Sequence, residues 1–510
     1  MIKKRIILIS VLAALFVLML IGYFVFVDPL LHETEEKEKI ELLDGEVLGS
    51  ASSILMFDQV ERENIQSIEV QNSYGGYTFF YDKDKKDFFI KDYLDAPYSK
   101  EMFATLITAT GFPTTMRRVT TKTENFSEYG LDEKDIPASY VLKTRDGITH
   151  KVYIGKMIPT GAGFYARYDG RDAVYIVESS ISQTVLSPVT NLISAMLFLP
   201  TTQSNYFAVK DFIIAKDGKP FIKLNTETET KKDENGNEYE DFIEYKMIFP
   251  AEYSVSDNYD TLLQGFMECN GEYVVAMGKD GEMISDDVLE KYNLKEPAYE
   301  ILFSHGGINN DILISEKTED GIYYAYSLMF NIICAMSEET FAFLEWDLLN
   351  FINKPLLDLS IEEITSIRVV SNDFDETFQL YFSEGSNQTN PVTGAVSTIK
   401  DLKVKMKSTG EYVKSPQDFR YFYMGILTTN LVTYADVEDQ TGLELLAKVT
   451  VVTSKGKIME FGFYPYHTRR CFFTLNGTGE FYVLKDGVQK IVNDAIRITK
   501  GEPVDYLDKE

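Results

Sequence analysis

Short apolar runs separated by glycine-containing turns recur three times along the chain, at a period of roughly 150 residues. A short motif precedes the clearest strand pair of each copy, and the three motifs are Tyr129-Gly130-Leu131, Tyr292-Asn293-Leu294 and Thr441-Gly442-Leu443. Two apolar runs follow each motif, joined by the turns Arg145-Asp146-Gly147, His305-Gly306-Gly307 and Lys455-Gly456. Glycine supplies the positive φ that a tight turn needs, so each pair of runs predicts a β-hairpin.

An amphipathic helix is predicted in every copy, and each is preceded by a serine that can cap it. The capping serines are Ser99, Ser256 and Ser415. Strands and one helix per copy predict an α+β fold of three tandem units, each an antiparallel sheet with one principal helix. The polar stretches at residues 226–241 and 384–397 are interpreted as long hairpin arms or loops.

Two apolar segments that end in proline, residues 191–200 and 347–355, are predicted to be short helical junctions between the copies. The predicted boundaries are a cytoplasmic tail at 1–5, a transmembrane helix at 6–27, a juxtamembrane stalk at 28–63, and repeat units at 64–190, 191–346 and 347–510. Because the junctions are apolar, we expect packed copies rather than freely moving ones.

The transmembrane prediction rests on residues 6–27, which contain no charged side chain. A helix needs about 20 apolar residues to cross a bilayer. Lys3, Lys4 and Arg5 precede this run and are expected to hold the amino terminus in the cytoplasm, leaving the body extracytoplasmic. A cleaved signal peptide is the alternative, but its apolar core is usually shorter and ends in small residues, whereas this run ends Phe26-Val27-Asp28.

The chain is acidic, with 79 Asp plus Glu against 50 Lys plus Arg and a formal net charge of −29. Such a surface repels nucleic-acid phosphates, so nucleic acid is not an expected partner. Hydrophobic residues make up 45% of the chain, which is enough for packed cores. Cys269, Cys334 and Cys471 are too few for a disulfide framework and are interpreted as small buried hydrophobes.

One polar stretch resembles a calcium loop in its spacing. Its candidate ligands are Asp233, Asn235, Asn237, Asp241 and Glu244, at positions 1, 3, 5, 9 and 12. Glu238 stands where such loops have glycine, and the flanking sequences predict strands rather than helices. A hairpin tip at Asn235-Gly236 explains the same residues.

No catalytic constellation is recognisable, so we expect neither an enzyme nor a cofactor. The four histidines, His32, His150, His305 and His467, have no metal-type spacing, and the chain has no Gly-x-Ser-x-Gly elbow. Aromatic clusters at residues 421–423 and 461–466 are core residues in one interpretation. In the other, Tyr421, Tyr423, Tyr464 and Tyr466 form a platform that stacks on sugar rings.

The first copy also contains a series of short motifs: Tyr129-Gly130-Leu131-Asp132, Asp146-Gly147, Ile154-Gly155-Lys156, Tyr165-Ala166-Arg167 and Val174-Tyr175-Ile176-Val177. Through this series the chain resembles the DUF4340 family of bacterial membrane-anchored proteins. The resemblance covers about residues 65–185 and weakens in the later copies, where Asn293 replaces the motif glycine. It implies an extracytoplasmic companion of ABC transporters of the gliding-motility type, and it carries over no catalytic residue.

We therefore expect a non-enzymatic, membrane-anchored scaffold or accessory protein in the cell envelope. Its expected partners are membrane lipid, through the N-terminal helix, and ABC transporter subunits or another envelope protein. A binder of cell-wall polysaccharide is the alternative function. An envelope hydrolase is a further alternative, which would need two carboxylates about 5–10 Å apart in a cleft.

Overall fold

The computed structural model describes residue 19 and residues 41–49, 53–112, 115–132, 134, 136–200, 206–389, 396–435 and 442–505. Apart from residue 19, the predicted tail and transmembrane helix lie outside the described residues. Within the part that is described, no helix is long and apolar enough to cross a membrane. That part consists mostly of antiparallel sheet with six α-helices, which agrees with the predicted α+β class.

The described residues form two compact units, the first within residues 1–94 and 98–192 and the second within residues 95–97 and 193–510. An eight-stranded sheet dominates the first unit. Its strands are β3 (Ile65–Asn72), β4 (Gly75–Asp82), β5 (Asp87–Ile90), β6 (Thr115–Thr120), β7 (Ala138–Thr144), β8 (Thr149–Met157), β9 (Gly163–Tyr168) and β10 (Val174–Glu178). A short ribbon of β1 (Val47–Leu48) and β2 (Ile54–Leu55) precedes them, and helix α1 (Lys100–Gly111) connects β5 to β6. The 3-10 helices of this unit are Arg62–Asn64, Phe126–Tyr129, Ser179–Gln183 and Val189–Leu192.

Helix α1 begins where the sequence predicts it. The Ser99 hydroxyl accepts a hydrogen bond from the Met102 N–H at 3.3 Å, which satisfies one of the unpaired donors of the first turn. Leu106, on the opposite side of the helix from the solvent, is fully buried. The Tyr140 hydroxyl of β7 donates to the Thr110 carbonyl at 3.4 Å, so α1 packs on the apolar face of the sheet.

A nine-stranded sheet belongs to the second unit. Its strands are β11 (Lys210–Lys216), β12 (Lys219–Lys232), β13 (Glu238–Phe249), β14 (Tyr253–Ser254), β15 (Tyr273–Met277), β16 (Tyr299–His305), β17 (Ile308–Ile314), β18 (Ile322–Ser327) and β19 (Ile332–Ser337). Helices α2 (Asp257–Met267) and α3 (Asp286–Lys291) flank β15, and the 3-10 helices are Tyr206–Ala208 and Ala342–Glu345. Phe266 of α2 contacts Phe212 and Phe303 of the sheet, with ring centroids 5.5 Å apart in both pairs.

A third sheet, of eight strands, completes the second unit. Its strands are β20 (Ile364–Ser371), β21 (Phe374–Thr389), β22 (Val396–Met406), β23 (Leu431–Tyr434), β24 (Ala447–Thr453), β25 (Ile458–His467), β26 (Arg470–Leu475) and β27 (Thr478–Leu484). Helix α4 (Leu348–Phe351) and the 3-10 helix Ile361–Glu363 precede this sheet, and α5 (Pro416–Leu427) follows β22. Helix α6 (Lys485–Lys500) follows β27 and packs on α5.

The strand order is the same in the three sheets. It is β5-β4-β3-β7-β8-β9-β10-β6 in the first sheet and β22-β21-β20-β24-β25-β26-β27-β23 in the third. The second sheet reads β13-β12-β11-β16-β17-β18-β19-β15, with β14 added beside β13. In every sheet the strand that follows the principal helix lies at one edge; these strands are β6, β15 and β23. The opposite edge is formed by β5 in the first sheet and β22 in the third, while in the second sheet β13 lies next to the edge strand β14.

The predicted hairpin turns are present. Gly306 and Gly307 have φ values of 58° and 77°, as a two-residue hairpin turn requires. The polar stretch at residues 226–241 belongs to a hairpin arm: β12 with β13 spans 14 and 12 residues, whereas the corresponding β4 with β5 spans 8 and 4. The third sheet has a similar arm in β21 with β22.

The two predicted junctions differ from each other. In the first, only Val189–Leu192 is helical, as a 3-10 helix, and residues 193–200 are irregular. Phe198 in this irregular segment packs 5.2 Å from both Phe266 and Phe303, ring centroid to centroid. This segment is therefore apolar because it fills the core of the second unit, and the prediction of a helix there was wrong. The second junction does contain a helix, α4, capped by Asp347.

Part of the predicted stalk, within residues 41–49 and 53–57, packs against the first sheet. Met56 and Phe57 are buried, and the Arg171 guanidinium donates to the Met56 carbonyl at 2.6 Å. Glu46 is buried as well and forms an ion pair with Arg118 of β6. We name residues 41–49 and 53–57 the strap, because they are tied to the first sheet by these contacts.

Candidate functional site

The motif residues that carry the resemblance lie together in the first unit. The rings of Tyr129 and Tyr165 meet edge to face, with centroids 5.0 Å apart. Gly155 lies against the same motif: a Cβ at this position would clash with the Tyr129 carbonyl and lie 3.0 Å from Cγ of Leu131. The glycine is therefore required for close packing between the motif and β8.

Arg167 of the Tyr-Ala-Arg triplet is held between two aromatic rings. Its guanidinium carbon lies 4.5 Å from the ring centroid of Phe126 and 4.7 Å from that of Tyr153. The Tyr153 hydroxyl in turn donates to Asp169 at 2.8 Å. These cation–π contacts give the arginine a packing role on the face of the sheet.

The aromatic contact recurs in the second sheet. Tyr292 and Tyr324 occupy the positions of Tyr129 and Tyr165, and their ring centroids are 4.8 Å apart. Asn293 has a φ of 56°, close to the 65° of Gly130, because asparagine tolerates the left-handed region better than most residues. Asparagine at this position thus preserves the backbone conformation of the motif, and the motif takes part in packing.

The calcium candidates lie on the hairpin of β12 and β13. Asp233 accepts hydrogen bonds from the backbone N–H groups of Asn235 and Asn237, both at 2.8 Å, and from the Asn237 side chain at 2.9 Å. The Asn237 bond holds the pKa of Asp233 below its usual range. Asp241 pairs with Lys231, and Glu244 pairs with Lys246 at 3.2 Å. These oxygens thus already have partners in the hairpin. In the described ranges, no three acidic, histidine or cysteine side chains form a group able to hold a metal ion.

The aromatic clusters divide between core and surface. Phe422, Tyr423, Phe461 and Phe463 are buried, as the core interpretation predicts. Tyr466 is 39% exposed, Tyr464 is half-buried, and Tyr421 is half-buried beside a groove.

This groove, about 380 Å³ in volume, runs along α5. Its lining consists of Leu359, Ser360, Ile361, Gln417, Arg420, Tyr421, Tyr423, Met424 and Leu427. The Tyr423 hydroxyl donates to the Leu359 carbonyl at 2.7 Å, and Arg420 donates to the Lys400 carbonyl at 2.9 Å. The floor of the groove is thus fixed by hydrogen bonds, while its wall is mainly apolar.

A second cavity, about 340 Å³ in volume, lies beside α1 in the first unit and has two carboxylates in its lining. These are Glu101 of α1 and Glu178 of β10, and both side chains are exposed. The sequence does not predict that they line one cavity, because 77 positions separate them (178 − 101) and only the sheet brings them there.

Among the described strands, β13 has the largest number of exposed large apolar residues, and this feature was not recognised in the sequence. Five large apolar residues of β13 are exposed by 40–49%: Tyr239, Phe242, Ile243, Ile248 and Phe249. Among them, Phe242 contacts Phe207 and Tyr245, with ring centroids 6.1 Å and 4.7 Å away. The sequence contained one signal of this surface: β13 has more apolar residues than the exposed tip of a hairpin usually has. We call the hairpin of β12 and β13 the arm.

The family model of DUF4340, a domain of unknown function, matches residues 101–248. The predicted resemblance is thereby confirmed, over a window that begins in α1 and ends in β13. The DUF4340 match thus includes the motif cluster around Tyr129 and most of the arm. No curated protein and no solved structure was found to be similar to the chain.

Proposed function

We propose that this protein is a non-enzymatic scaffold or accessory protein, anchored to the membrane by residues 6–27, that binds another envelope protein through the arm. The single observation that carries this proposal is the exposed apolar surface of β13, where Tyr239, Phe242 and Ile243 are each at least 40% exposed. Several large apolar side chains exposed on one strand mark a candidate site of interaction. ABC transporter subunits are the proposed partner class, through the family resemblance.

The rest of the chain supports a protein-binding role. The acidic surface, with a net charge of −29, keeps the body soluble and favours cationic partners. We also propose that the three sheets are repeats of one unit, because they share one strand order and the contact of Tyr129 with Tyr165 recurs as Tyr292 with Tyr324.

Co-purification from membranes in mild detergent tests this function. Wild-type protein is expected to bring down an envelope protein, and the variant with Phe242→Ser and Ile243→Ser to lose it. Ile458→Ser is the matched control, because Ile458 is 60% exposed on β25 and lies outside the arm. Recovery of the wild-type protein without a partner would count against the proposal. Equal recovery of the partner with the wild type, the double variant and Ile458→Ser would also count against it.

A second function, binding of wall polysaccharide, is favoured by the groove along α5. Tyr421 supplies a ring for stacking, and Gln417 and Arg420 supply hydrogen-bond donors on the same lining. Tyr421→Ala is then expected to reduce binding to purified cell wall, while Tyr412→Ala, at a tyrosine 57% exposed outside the groove, is not. The hydrolase alternative depends on Glu101 and Glu178, and unchanged release of wall fragments by Glu101→Gln and Glu178→Gln would remove it.

A further inference from the structure

The outer edge of β13 is open along most of its length. Its neighbour on that side, β14, pairs only with Lys246 and Met247. Among the residues that the structure describes, no other strand lies beyond β13 on this edge. The backbone groups of residues 238–245 that point away from β12 therefore form an unpaired row, which is a template for one more strand.

The charges along this edge disfavour a second copy of the chain as the occupant. The run Glu238-Tyr239-Glu240-Asp241-Phe242-Ile243-Glu244 contains four carboxylates and no basic residue. Pairing two such runs would set like charges opposite or diagonal to each other, which is destabilising. A basic strand would instead oppose these carboxylates with lysine or arginine.

The lysines that already pair with the carboxylates leave room for such a strand. Lys232 contacts Glu238 at 3.2 Å and Lys210 contacts Glu240 at 3.1 Å, and both come from the inner strands β12 and β11. These pairs are solvent-exposed and weak, since both partners keep about half of their exposure. Asp241 and Glu244 form similarly exposed pairs with Lys231 and Lys246, so a basic strand would meet carboxylates whose existing pairs are weak.

We propose that the open edge of β13 accepts an extended basic and apolar segment of a partner protein as an additional strand. This inference rests on the proposed function, because it names the part of the partner that the arm binds. Main-chain hydrogen bonds supply the affinity in this mode of recognition, and alternate side chains supply the selectivity. Glu227 faces Glu244 and Thr228 faces Phe242, so Ile243 is the extra residue of a β-bulge. Residues 238–242 pair regularly with β12 and form the straight part of the edge.

A ten-residue synthetic peptide of alternating valine and lysine is the probe, and the matching valine–glutamate peptide is its control. Full-length protein in detergent is saturated with each peptide, and backbone hydrogen exchange is followed by mass spectrometry. The basic peptide is expected to slow exchange at residues 238–245 by about tenfold or more, and the acidic peptide to leave it unchanged. Phe242→Ser with Ile243→Ser is expected to weaken binding of the basic peptide about tenfold, and Ile458→Ser to leave it unchanged.

Unchanged exchange at residues 238–245 with saturating basic peptide overturns the proposal, and so does equal protection by the acidic peptide. Unchanged exchange in β11 and β12 of the double variant shows that the arm is still folded. A partner that co-purifies without protecting residues 238–245 leaves the proposed function standing and removes the strand addition. Absence of any co-purified partner removes the proposed function. Protection of residues 238–245 by the basic peptide tests strand addition at β13 separately, because it does not depend on co-purification.

Discussion

Glu46 and Arg118, which are 72 positions apart, form a buried ion pair in the first unit. The Glu46 side chain has no solvent exposure, and that of Arg118 has 11%. The carboxylate also accepts hydrogen bonds from the Tyr175 hydroxyl and the Leu43 N–H, both at 2.7 Å. Burial, followed by the hydrogen bond to Glu46, raises the pKa of Tyr175 to about 12. One side chain of the strap is thus joined to two strands of the sheet.

Removing the charge of Glu46 is expected to release the strap. In the Glu46→Gln variant Arg118 loses its partner, and breaking a buried pair costs about 3 kcal/mol. Native-state hydrogen exchange of residues 41–57 measures this free energy of opening. Glu69→Gln is the control, because its pair with Lys143 is nearly half exposed on both sides and should contribute less than about 1 kcal/mol. Equal effects from the two variants would show that the strap does not depend on the buried pair.

Acid is expected to loosen the strap through His150. Its ring stacks on Phe57 at 4.0 Å between centroids, and burial, aided by the Arg171 cation, lowers its pKa below the ordinary 6.5. As the pH falls, His150 therefore binds a proton in the unfolded state before it does so in the folded state. The contribution of His150 to stability is complete above about pH 6.5 and declines as the pH falls below it. The protection factors of residues 53–57, which correct the exchange rates for their intrinsic pH dependence, should fall between pH 7.5 and pH 5, and His150→Gln should remove this dependence. An unchanged pH profile in the variant would assign the effect to another group.

A methyl group at Gly155 is expected to destabilise the motif cluster. The Cβ of Gly155→Ala would clash with the Tyr129 carbonyl, and such overpacking costs about 1–3 kcal/mol. Gly265→Ala is the opposite case, because Gly265 lies in α2 with open space around it, and the change should stabilise by about 0.5–1 kcal/mol. Urea unfolding followed by circular dichroism compares the two variants. A neutral Gly155→Ala variant would contradict the packing role of the motif.

The three cysteines are expected to be unreactive in the folded protein. Burial raises the pKa of Cys269 and Cys334 to about 12 and that of Cys471 to about 11. At pH 8 all three stay protonated, and the thiolate is the reactive form. Alkylation with iodoacetamide should label none of them in the native state and all of them in urea, whereas Thr409→Cys, in an exposed turn, should add one fast-reacting thiol.

The same thiols predict how the stability of the protein changes at alkaline pH. Above about pH 9 the unfolded thiols lose protons while the folded ones retain them, so the folded state binds more protons. The contribution of these thiols to the free energy of unfolding is therefore expected to be complete below about pH 9. It is expected to be lost as the pH rises through the pKa values of the folded thiols. Rapid labelling of native Cys334 at pH 8 would contradict both expectations.

The sequence by itself determined the local elements. Ser99 and Ser415 predicted the starts of α1 and α5, because a hydroxyl before an apolar helical pattern pairs with the first free N–H groups. Glycines predicted the hairpin turns, since φ is a local property, and Gly306 with Gly307 has the expected values. The DUF4340 resemblance was also readable, because its motifs are contiguous in the chain.

Only the tertiary structure decided which distant residues meet and which faces stay open. Glu46 falls in the predicted juxtamembrane stalk, yet Arg118 and Tyr175 bury it, and no local rule places those strands beside it. The apolar residues near Phe198 predicted a helix, but they are apolar because the rings of Phe266 and Phe303 cover them. Periodicity likewise cannot tell that β13 lies at an edge, because exposure depends on the order of strands across the sheet rather than along the chain.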